Sequence, residues 1–289
     1  MTYRIYSIEG NSQRLDGGSM FGNAPHAVWS RWIAPDERMR IPLACRAFLI
    51  HDEARDQRIL LDAGIGVFFE PKLKDRFGVL EDDHRLLESL AARGVAPDQI
   101  DVVIMSHLHF DHAGGLLSAH RDDAPLELVF PRARVIVNQR AWQRATQPHV
   151  RDRASFIPAL HELLQASGRL ELVEAKLDSV GPDLTCTVSD GHTPGLMLAR
   201  LQTQKGSAVF CADLVPGKPW IHLPITMGYD RFPELLVDEK TPFIERARAD
   251  GTHLLLTHDP VHASCTVGID AKKKYCAVDP VESLDGLEL

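Results

Sequence analysis

The chain of 289 residues alternates between short apolar runs and polar or glycine-containing segments. Tyr3–Ile8 alternates between apolar and polar side chains, which is typical of a strand with one buried face. The apolar runs 43–50 and 58–62 flank a charged turn and predict a hairpin. The run 101–105 is almost wholly apolar, which indicates a strand that is buried on both faces.

The same pattern predicts the elements in the rest of the chain. Helical spacing of apolar residues predicts helices over 82–93, 138–146, 155–166 and 233–250. Short apolar or β-branched runs predict strands over 135–137, 170–173, 184–189, 197–203, 208–211, 253–257 and 265–269. Because the strands come in two groups that are each followed by helices, we expect an α/β protein with two sheets layered between helices.

The segment 11–36 is rich in Gly, Pro and Asn and is predicted to be a long loop. It also carries four large apolar residues, Met20, Phe21, Trp29 and Trp32. Long loops with apolar side chains often form functional sites rather than mere connections. We therefore expect 11–36 to be a substrate-pocket loop within a single domain that spans 1–289. The equal alternative is that the four side chains only cover a sheet edge.

Composition and charge describe a soluble globular protein. Hydrophobic residues make up 44% and charged residues 25% of the chain, and no apolar run approaches the length of a membrane span. The formal net charge is -8 and the one basic run, at 272–274, is short, so nucleic acid is not expected as a partner. The five cysteines are scattered and never form a C-x-x-C pair, which suits a protein of the reducing cytoplasm.

The residues with the strongest chemical signal are concentrated in the run HLHFDH, at 107–112. Its three imidazoles and one carboxylate are the ligands that bind a borderline divalent metal such as zinc. The run follows the buried strand 101–105 in the sequence. In a turned loop, His107 and His109 can reach one metal while Asp111 and His112 reach a second, whereas His residues two apart on a helix would face apart. The run predicts a metal site, and open metal coordination favours hydrolysis.

Three further candidate ligands are His192, Asp213 and His258, and each comes directly after the carboxyl end of an apolar strand. The run 107–112 has the same position, so we expect all of these side chains to meet on one rim of the fold. The alternative is a closed structural zinc site. Such sites usually have four ligands and are rich in Cys, and seven His and Asp ligands without Cys argue against it.

Together these residues resemble the metal ligands of the metallo-β-lactamase superfamily, whose first motif is H-x-H-x-D-H. The resemblance implies an αββα sandwich, with two mixed sheets between helical layers, and two divalent ions, most simply zinc, with manganese, cobalt or iron as alternatives. His107, His109 and His192 would bind the first ion. Asp111, His112 and His258 would bind the second. Asp213 would bridge the two ions.

Several branches of this superfamily differ from the chain in specific parts. Nucleases carry a large domain between the bridging Asp and the last His, and glyoxalase II-like thioesterases carry a helical region after that His, for which this chain has little room. β-Lactamases lack the bridging Asp that Asp213 matches. Flavodiiron proteins have Glu where this chain has His109. The remaining resemblance is to the N-acyl homoserine lactonases, on the run 107–115 and on a loop like 18–22.

The resemblance implies that the protein opens a lactone or carboxylic ester, with N-acyl homoserine lactone as the first candidate, by attack of a hydroxide that bridges two metals. Asp111 would also pass a proton to the leaving alkoxide. Lactonases of this branch often have a Tyr a few residues after the bridging Asp. Here 214–217 reads LVPG, so Tyr229 is the candidate for contact with the substrate carbonyl.

Two other functions stay open at this stage. An organophosphate triesterase or arylesterase would use the same metal ligands. An iron redox or sensor protein is less favoured, because no redox pair of cysteines accompanies the site. The expected partner is a small-molecule lactone or ester, and a homodimer stays open. Asp62, in the turn LDAG, is equally an acceptor that orients a ligand His and a residue that stabilises the turn.

Overall fold

Two mixed β-sheets form the centre of the structure, a computed structural model that describes residues 2–289. The strands are Tyr3–Ile8 (β1), Gln13–Asp16 (β2), Arg40–Leu43 (β3), Ala47–Asp52 (β4), Gln57–Leu61 (β5), Val102–Ile104 (β6), Arg134–Asn138 (β7), Leu170–Val173 (β8), Leu184–Ser189 (β9), Leu196–Gln202 (β10), Ser207–Phe210 (β11), His253–Leu255 (β12), Ser264–Ile269 (β13), Tyr275–Val281 (β14) and Asp285–Glu288 (β15). The helices are Gly17–Phe21 (α1), His26–Trp29 (α2), Pro71–Arg76 (α3), Arg85–Ala91 (α4), Phe110–Ala113 (α5), Gln139–Thr146 (α6), Pro158–Ala166 (α7) and Pro233–Ala249 (α8).

The larger sheet has seven strands in the order β15-β1-β4-β5-β6-β7-β8, and the smaller has six in the order β14-β13-β12-β11-β10-β9. Strands β5 to β8 run parallel, while β1, β4 and β15 pair antiparallel. In the smaller sheet only β11 and β12 pair in parallel. Strands β2 and β3 form a separate two-stranded antiparallel sheet.

The strand β4 shows why the larger sheet is buried on both faces. Phe48 and Ile50 point into the core shared with the smaller sheet, whereas Leu49, between them, packs in a second core with helices α4, α6 and α7. Helix α8 contributes Leu236 and Ile244 to the first core. Burial on both faces replaces the alternating pattern by a continuous apolar run. The predicted α/β sandwich of two mixed sheets between helices is therefore confirmed.

The segment 11–36 is more ordered in secondary structure than a long loop. It contains β2 and the short helices α1 and α2. Asp16 caps α1 by accepting a hydrogen bond from the backbone N of Ser19 at 2.7 Å, which a glycine-rich sequence does not reveal by apolar periodicity.

The strands β14 and β15 were not predicted from the sequence, because each is an edge strand with little apolar alternation. β14 contains Pro280 and is mostly exposed or half-buried, as edge strands commonly are. β15 pairs with β1 at the edge of the larger sheet. Among residues 2–289, no helix combines the length and the hydrophobicity needed to cross a membrane.

Candidate metal centre

The seven side chains predicted as metal ligands meet beyond the carboxyl ends of β6, β9, β11 and β12. The sequence predicted a turned loop for 107–112, but Asp111 and His112 lie on the short helix α5 that follows His109. They form two groups, in each of which the ligand atoms lie within 4.8 Å of one another. The first group is His107, His109, His192 and Asp213. The second group is Asp111, His112 and His258.

Asp213 lies between the two groups. Its Oδ2 is 3.1 Å from Nε2 of His192 in the first group. Its Oδ1 is 3.3 Å from Nε2 of His112 and 3.3 Å from Nε2 of His258 in the second group. One carboxylate therefore faces ligand atoms of both groups, which is the position expected of a residue that bridges two cations.

In the second group, two imidazole nitrogens lie close together. Nε2 of His112 and Nε2 of His258 are 3.2 Å apart. Nδ1 of His112 lies 2.7 Å from the carboxylate of Asp62, and Nδ1 of His258 lies 2.7 Å from the carbonyl oxygen of Ala44. Because both of these partners only accept, each Nδ1 carries a proton, and Nε2 is the atom through which each ring would bind a metal. Burial lowers the pKa of both rings, but Asp213 outweighs burial and raises it well above the usual value, so a metal would displace a proton from each Nε2.

The first group is arranged in a similar way. Nδ1 of His192 lies 2.8 Å from the carboxylate of Asp230, so its Nε2 is the atom that faces the carboxylate of Asp213. Nε2 of His107 is buried and has no hydrogen-bond partner in the described part of the chain. Burial lowers the pKa of His107 and of His109 well below the usual value, so both rings are neutral and fit for metal binding. Both groups therefore suit divalent cations.

The ionisation of Asp213 depends on the imidazoles around it. Burial alone would raise the pKa of Asp213, yet His112, His192 and His258 outweigh burial and hold that pKa well below the usual value. The carboxylate is therefore ionised in the folded protein.

Asp62 is buried beside the second group at a left-handed backbone φ of 55°. Its Oδ1 accepts a hydrogen bond from the backbone N of Ser106 at 2.6 Å, and its Oδ2 accepts from Oγ of Ser106 at 2.7 Å. The same Oδ2 orients His112. Asp62 thus contacts a predicted ligand, which is one of the two roles that the sequence left open. Its bonds to Ser106 stabilise the turn between β6 and His107 rather than the turn of Asp62 itself.

Three groups that position the predicted ligands were missed from the sequence. Asp230 fixes the ring of His192 although the two residues are 38 positions apart, and the carbonyl of Ala44 fixes His258 across 214 positions. Nε2 of Gln13 donates to Oδ2 of Asp111 at 3.2 Å. These contacts join residues that are far apart in the sequence. The only local feature that could have indicated one of them is that Asp230 follows Tyr229 directly.

A cavity of about 470 Å³ opens in front of both groups and is lined by His109, Asp111, His192, Asp213 and His258. Tyr229 also lines this cavity, although 42% of the residue is exposed. Burial, followed by the negative charges of Asp111 and Asp16, raises the pKa of Tyr229. We refer to this space as the site cavity.

Of the four large apolar residues in 11–36, only Met20 lines the site cavity. Phe21 is fully buried and stacks on Trp220 with ring centroids 4.5 Å apart, and it also stacks on Trp29 with ring centroids 5.7 Å apart. Trp32 is 38% exposed and lines a different cavity. The prediction that all four line the pocket is therefore wrong for three of them, because aromatic stacking in the core buries two of the rings.

Comparison with known proteins agrees with this arrangement. The sequence matches the family described as the Metallo-beta-lactamase superfamily over residues 40–258, which contain both groups. AiiA, an N-acyl homoserine lactonase of Bacillus thuringiensis subsp. kurstaki, is 23% identical over 201 residues, which are 65% of this chain and 70% of that protein.

Solved structures show the same fold over nearly the whole chain. A probable metal-dependent hydrolase from Staphylococcus aureus has a TM-score of 0.84 and 27% identity, and the match covers 96% of this chain and 97% of that chain. AidC, a dizinc quorum-quenching lactonase, has a TM-score of 0.73 and 18% identity, and that match covers 96% of this chain and 94% of the other.

Proposed function

Because this chain belongs to the metallo-beta-lactamase superfamily and is a metal-dependent hydrolase, we propose that it opens lactones or carboxylic esters through a site for two divalent ions. N-acyl homoserine lactone is the first candidate substrate, since AiiA and AidC are described as lactonases. The observation that carries the proposal is the position of Asp213 between two groups of imidazoles, with His Nε2 atoms of both groups 3.1–3.3 Å from its carboxylate oxygens.

In this proposal the first group holds one ion, the second group holds the other, and Asp213 serves both. Zinc suits imidazole and carboxylate ligands, while manganese, cobalt and iron also accept them. Two such ions would polarise the substrate carbonyl and supply hydroxide at neutral pH. The protein contributes the fixed ring orientations, because Asp62, Asp230 and the carbonyl of Ala44 each hold one imidazole by its Nδ1.

Asp111 is proposed to bind metal and to carry a proton. Its Oδ2 is 3.6 Å from Nε2 of His258, and the same oxygen accepts a hydrogen bond from Gln13. The residue lines the site cavity and its side chain is 14% exposed, so it can reach a bound substrate. A carboxylate in this place can take a proton from the attacking water or hydroxyl group and return it to the leaving alkoxide when the ester bond breaks.

Tyr229 is proposed to orient the carbonyl of the substrate. It lines the site cavity together with Asp111, and the charge of Asp111 acts on its phenol. A phenol donates a hydrogen bond to a carbonyl oxygen and stabilises the negative charge that develops there.

The remaining wall of the site cavity provides a place for the acyl or alcohol part of the ester. Leu15, Met20, Phe77, Phe110 and Met227 form its apolar surface. The segment 11–36 supplies two of these residues and is proposed to shape the pocket in that limited way. Burial of an acyl or aryl chain against this surface would favour binding roughly in proportion to the apolar area removed from water.

The experiment that tests the proposal uses the protein purified with zinc. Metal content is measured first, and about two ions per chain are expected. Hydrolysis is then followed by acid release from an N-acyl homoserine lactone, an aryl ester and a phosphotriester, and the kcat/KM values are compared. Activity that survives complete removal of metal would contradict the proposal. A higher kcat/KM for the phosphotriester would favour the alternative function.

A further inference from the structure

The wall of the site cavity is positively charged although the whole chain has a net charge of -8. Five arginines line it: Arg14, Arg40, Arg76, Arg151 and Arg231. Apart from Asp111 and Asp213, which belong to the two groups, the cavity is lined by only two carboxylates, Asp16 and Asp152. Such a cavity attracts anionic ligands, because fixed charges in a cleft with low-dielectric walls focus the local field.

The two arginines on one side already have a partner. Asp36 lies 2.9 Å from Nη2 of Arg40 and 3.7 Å from Nη1 of Arg14. One carboxylate is shared by these two guanidinium groups, so their charges are partly compensated.

Arg231 lacks comparable compensation although it is nearly buried, with 11% of its side chain exposed. Its nearest carboxylate is Asp152, which accepts a hydrogen bond from Nε of Arg144 at 2.8 Å and lies 2.7 Å from Nη2 of Arg144 in an ion pair. Nε of Arg231 stays 3.6 Å from the same oxygen. Within residues 2–289, Nε and Nη1 of Arg231 are buried without a hydrogen-bond partner. Two buried donors without hydrogen bonds are costly, which points to a ligand that accepts hydrogen bonds from them.

Arg231 also has a fixed position relative to the first group. Its backbone N donates a hydrogen bond to the carbonyl oxygen of His192 at 3.1 Å. Arg151 lies on the same cavity wall, where its Nη2 donates to the carbonyl of Gly228 at 2.8 Å, and no carboxylate of the described chain pairs with it. Burial lowers the pKa of Arg231; the charge of Asp152 opposes this, and the nearby charges of Arg144 and Arg151 lower the pKa further. These guanidinium groups thus form a cationic area beside the candidate metal centre.

We propose that the substrate is an ester or lactone that carries a carboxylate, and that Arg231 and Arg151 bind this carboxylate while the ester group faces the two groups of ligands. The inference rests on the proposed hydrolytic function and narrows its substrate class. A carboxylate matches the planar fork of a guanidinium and accepts two hydrogen bonds from it. Of two esters that are otherwise alike, the one without a carboxylate would leave Arg231 without partners, so it is expected to be the poorer substrate.

The test compares two esters that differ only in one terminal group. Para-nitrophenyl hexanoate ends in a methyl group, and mono-para-nitrophenyl adipate ends in a carboxylate at the same place. The zinc-loaded protein is compared with Arg231→Gln, Arg151→Gln and the control Arg153→Gln, whose residue is exposed and does not line the site cavity. Metal content and Tm show whether each variant is folded. If Arg231→Gln does not fold, Arg151→Gln tests the inference instead, because Arg151 is exposed.

We expect kcat/KM of the wild type to be about ten- to a hundredfold higher for the adipate ester, with most of this preference lost in Arg231→Gln and Arg151→Gln and kept in Arg153→Gln. Equal rates for the two esters, or a preference that both variants retain, would overturn the inference while leaving the hydrolase proposal intact. Calorimetric binding of sodium hexanoate to metal-free protein provides a second readout. If neither ester is cleaved, the hydrolase proposal fails. The binding of hexanoate then still tests the anion site: weaker binding to Arg231→Gln than to the wild type supports it, and equal binding contradicts it.

Discussion

Nε2 of His112 lies 3.2 Å from Nε2 of His258, while Nδ1 of each ring donates a hydrogen bond, to Asp62 and to the carbonyl of Ala44 respectively. Both rings would therefore bind a metal through two neighbouring Nε2 atoms. Both Nε2 atoms also lie 3.3 Å from Oδ1 of Asp213. A metal at this place would displace a proton from each ring, so its binding is linked to pH.

The first prediction concerns the thermal stability of the metal-loaded protein. An ion that binds only the folded state stabilises it by about 2.7 kcal/mol when its free concentration is a hundred times Kd. Addition of zinc to metal-free protein should therefore raise Tm by several degrees, and a chelator should reverse the change. Scanning calorimetry measures this effect. The control is Asp213→Ala, in which zinc should change Tm much less, and an equal rise in both proteins would argue against the shared role of Asp213.

The second prediction separates the two roles of Asp62. Asp62→Asn keeps the size of the side chain and tolerates the left-handed backbone, but it weakens the acceptor that fixes the tautomer of His112. Zinc affinity, measured by competition with a chromogenic chelator, should fall by about ten- to a hundredfold. Asp56 also has a positive φ, of 48°, but lies in an exposed turn, so Asp56→Asn is the matched control. If both variants bind zinc like the wild type, Asp62 only stabilises the turn.

The predicted ligands could be found from the sequence because each one follows a strand whose apolar run is visible. His192 after β9 and Asp213 after β11 are of this kind. By contrast, Asp230 and Arg231 follow no strand, and their roles depend on contacts with residues distant in sequence, His192 and Asp152. Local patterns do not carry such contacts, so the cationic wall of the cavity became visible only in the folded chain.

The third prediction concerns the pH dependence of stability, through the buried Lys240. Burial lowers its pKa to about 8, and Asp230 opposes this only in part. In the unfolded chain the lysine titrates near 10.5. Between these values the unfolded state binds more protons than the folded state, so the free energy of unfolding rises with pH, by up to roughly 3 kcal/mol from this residue.

Lys240→Met should lack this rise. The free energy of unfolding of the wild type and of Lys240→Met is measured with urea at several pH values between 8 and 10.5. The contributions of the other titrating groups cancel in the difference between the two proteins. Lys72→Met, at an exposed position in α3, is expected to keep the slope of the wild type. Parallel curves for the wild type and Lys240→Met would contradict the prediction.

The fourth prediction concerns the phenol of Tyr229. Tyr229→Phe removes one hydrogen-bond donor from the site cavity and leaves the ring in place. If the phenol stabilises the developing negative charge on the carbonyl oxygen, kcat should fall by about ten- to a hundredfold with little change in KM or metal content. Tyr275, whose hydroxyl lies 3.5 Å from Glu245 away from the site cavity, gives the control Tyr275→Phe. An increase in KM with unchanged kcat would instead indicate that the phenol binds the substrate and the transition state equally well.

The last prediction tests whether Asp111 carries a proton as well as binding metal. In Asp111→Asn the amide oxygen can still face a metal, but the side chain can no longer accept and return a proton. We expect kcat for an ester with a poor leaving group to fall by about a hundredfold or more, while zinc content changes little. An ester of para-nitrophenol, whose leaving group needs no protonation, should be affected much less, and this difference is specific to a proton donor. His112→Ala is the comparison, since loss of a ligand alone should reduce zinc content and both activities together. Parallel losses of zinc and of both activities in Asp111→Asn would reduce Asp111 to a ligand.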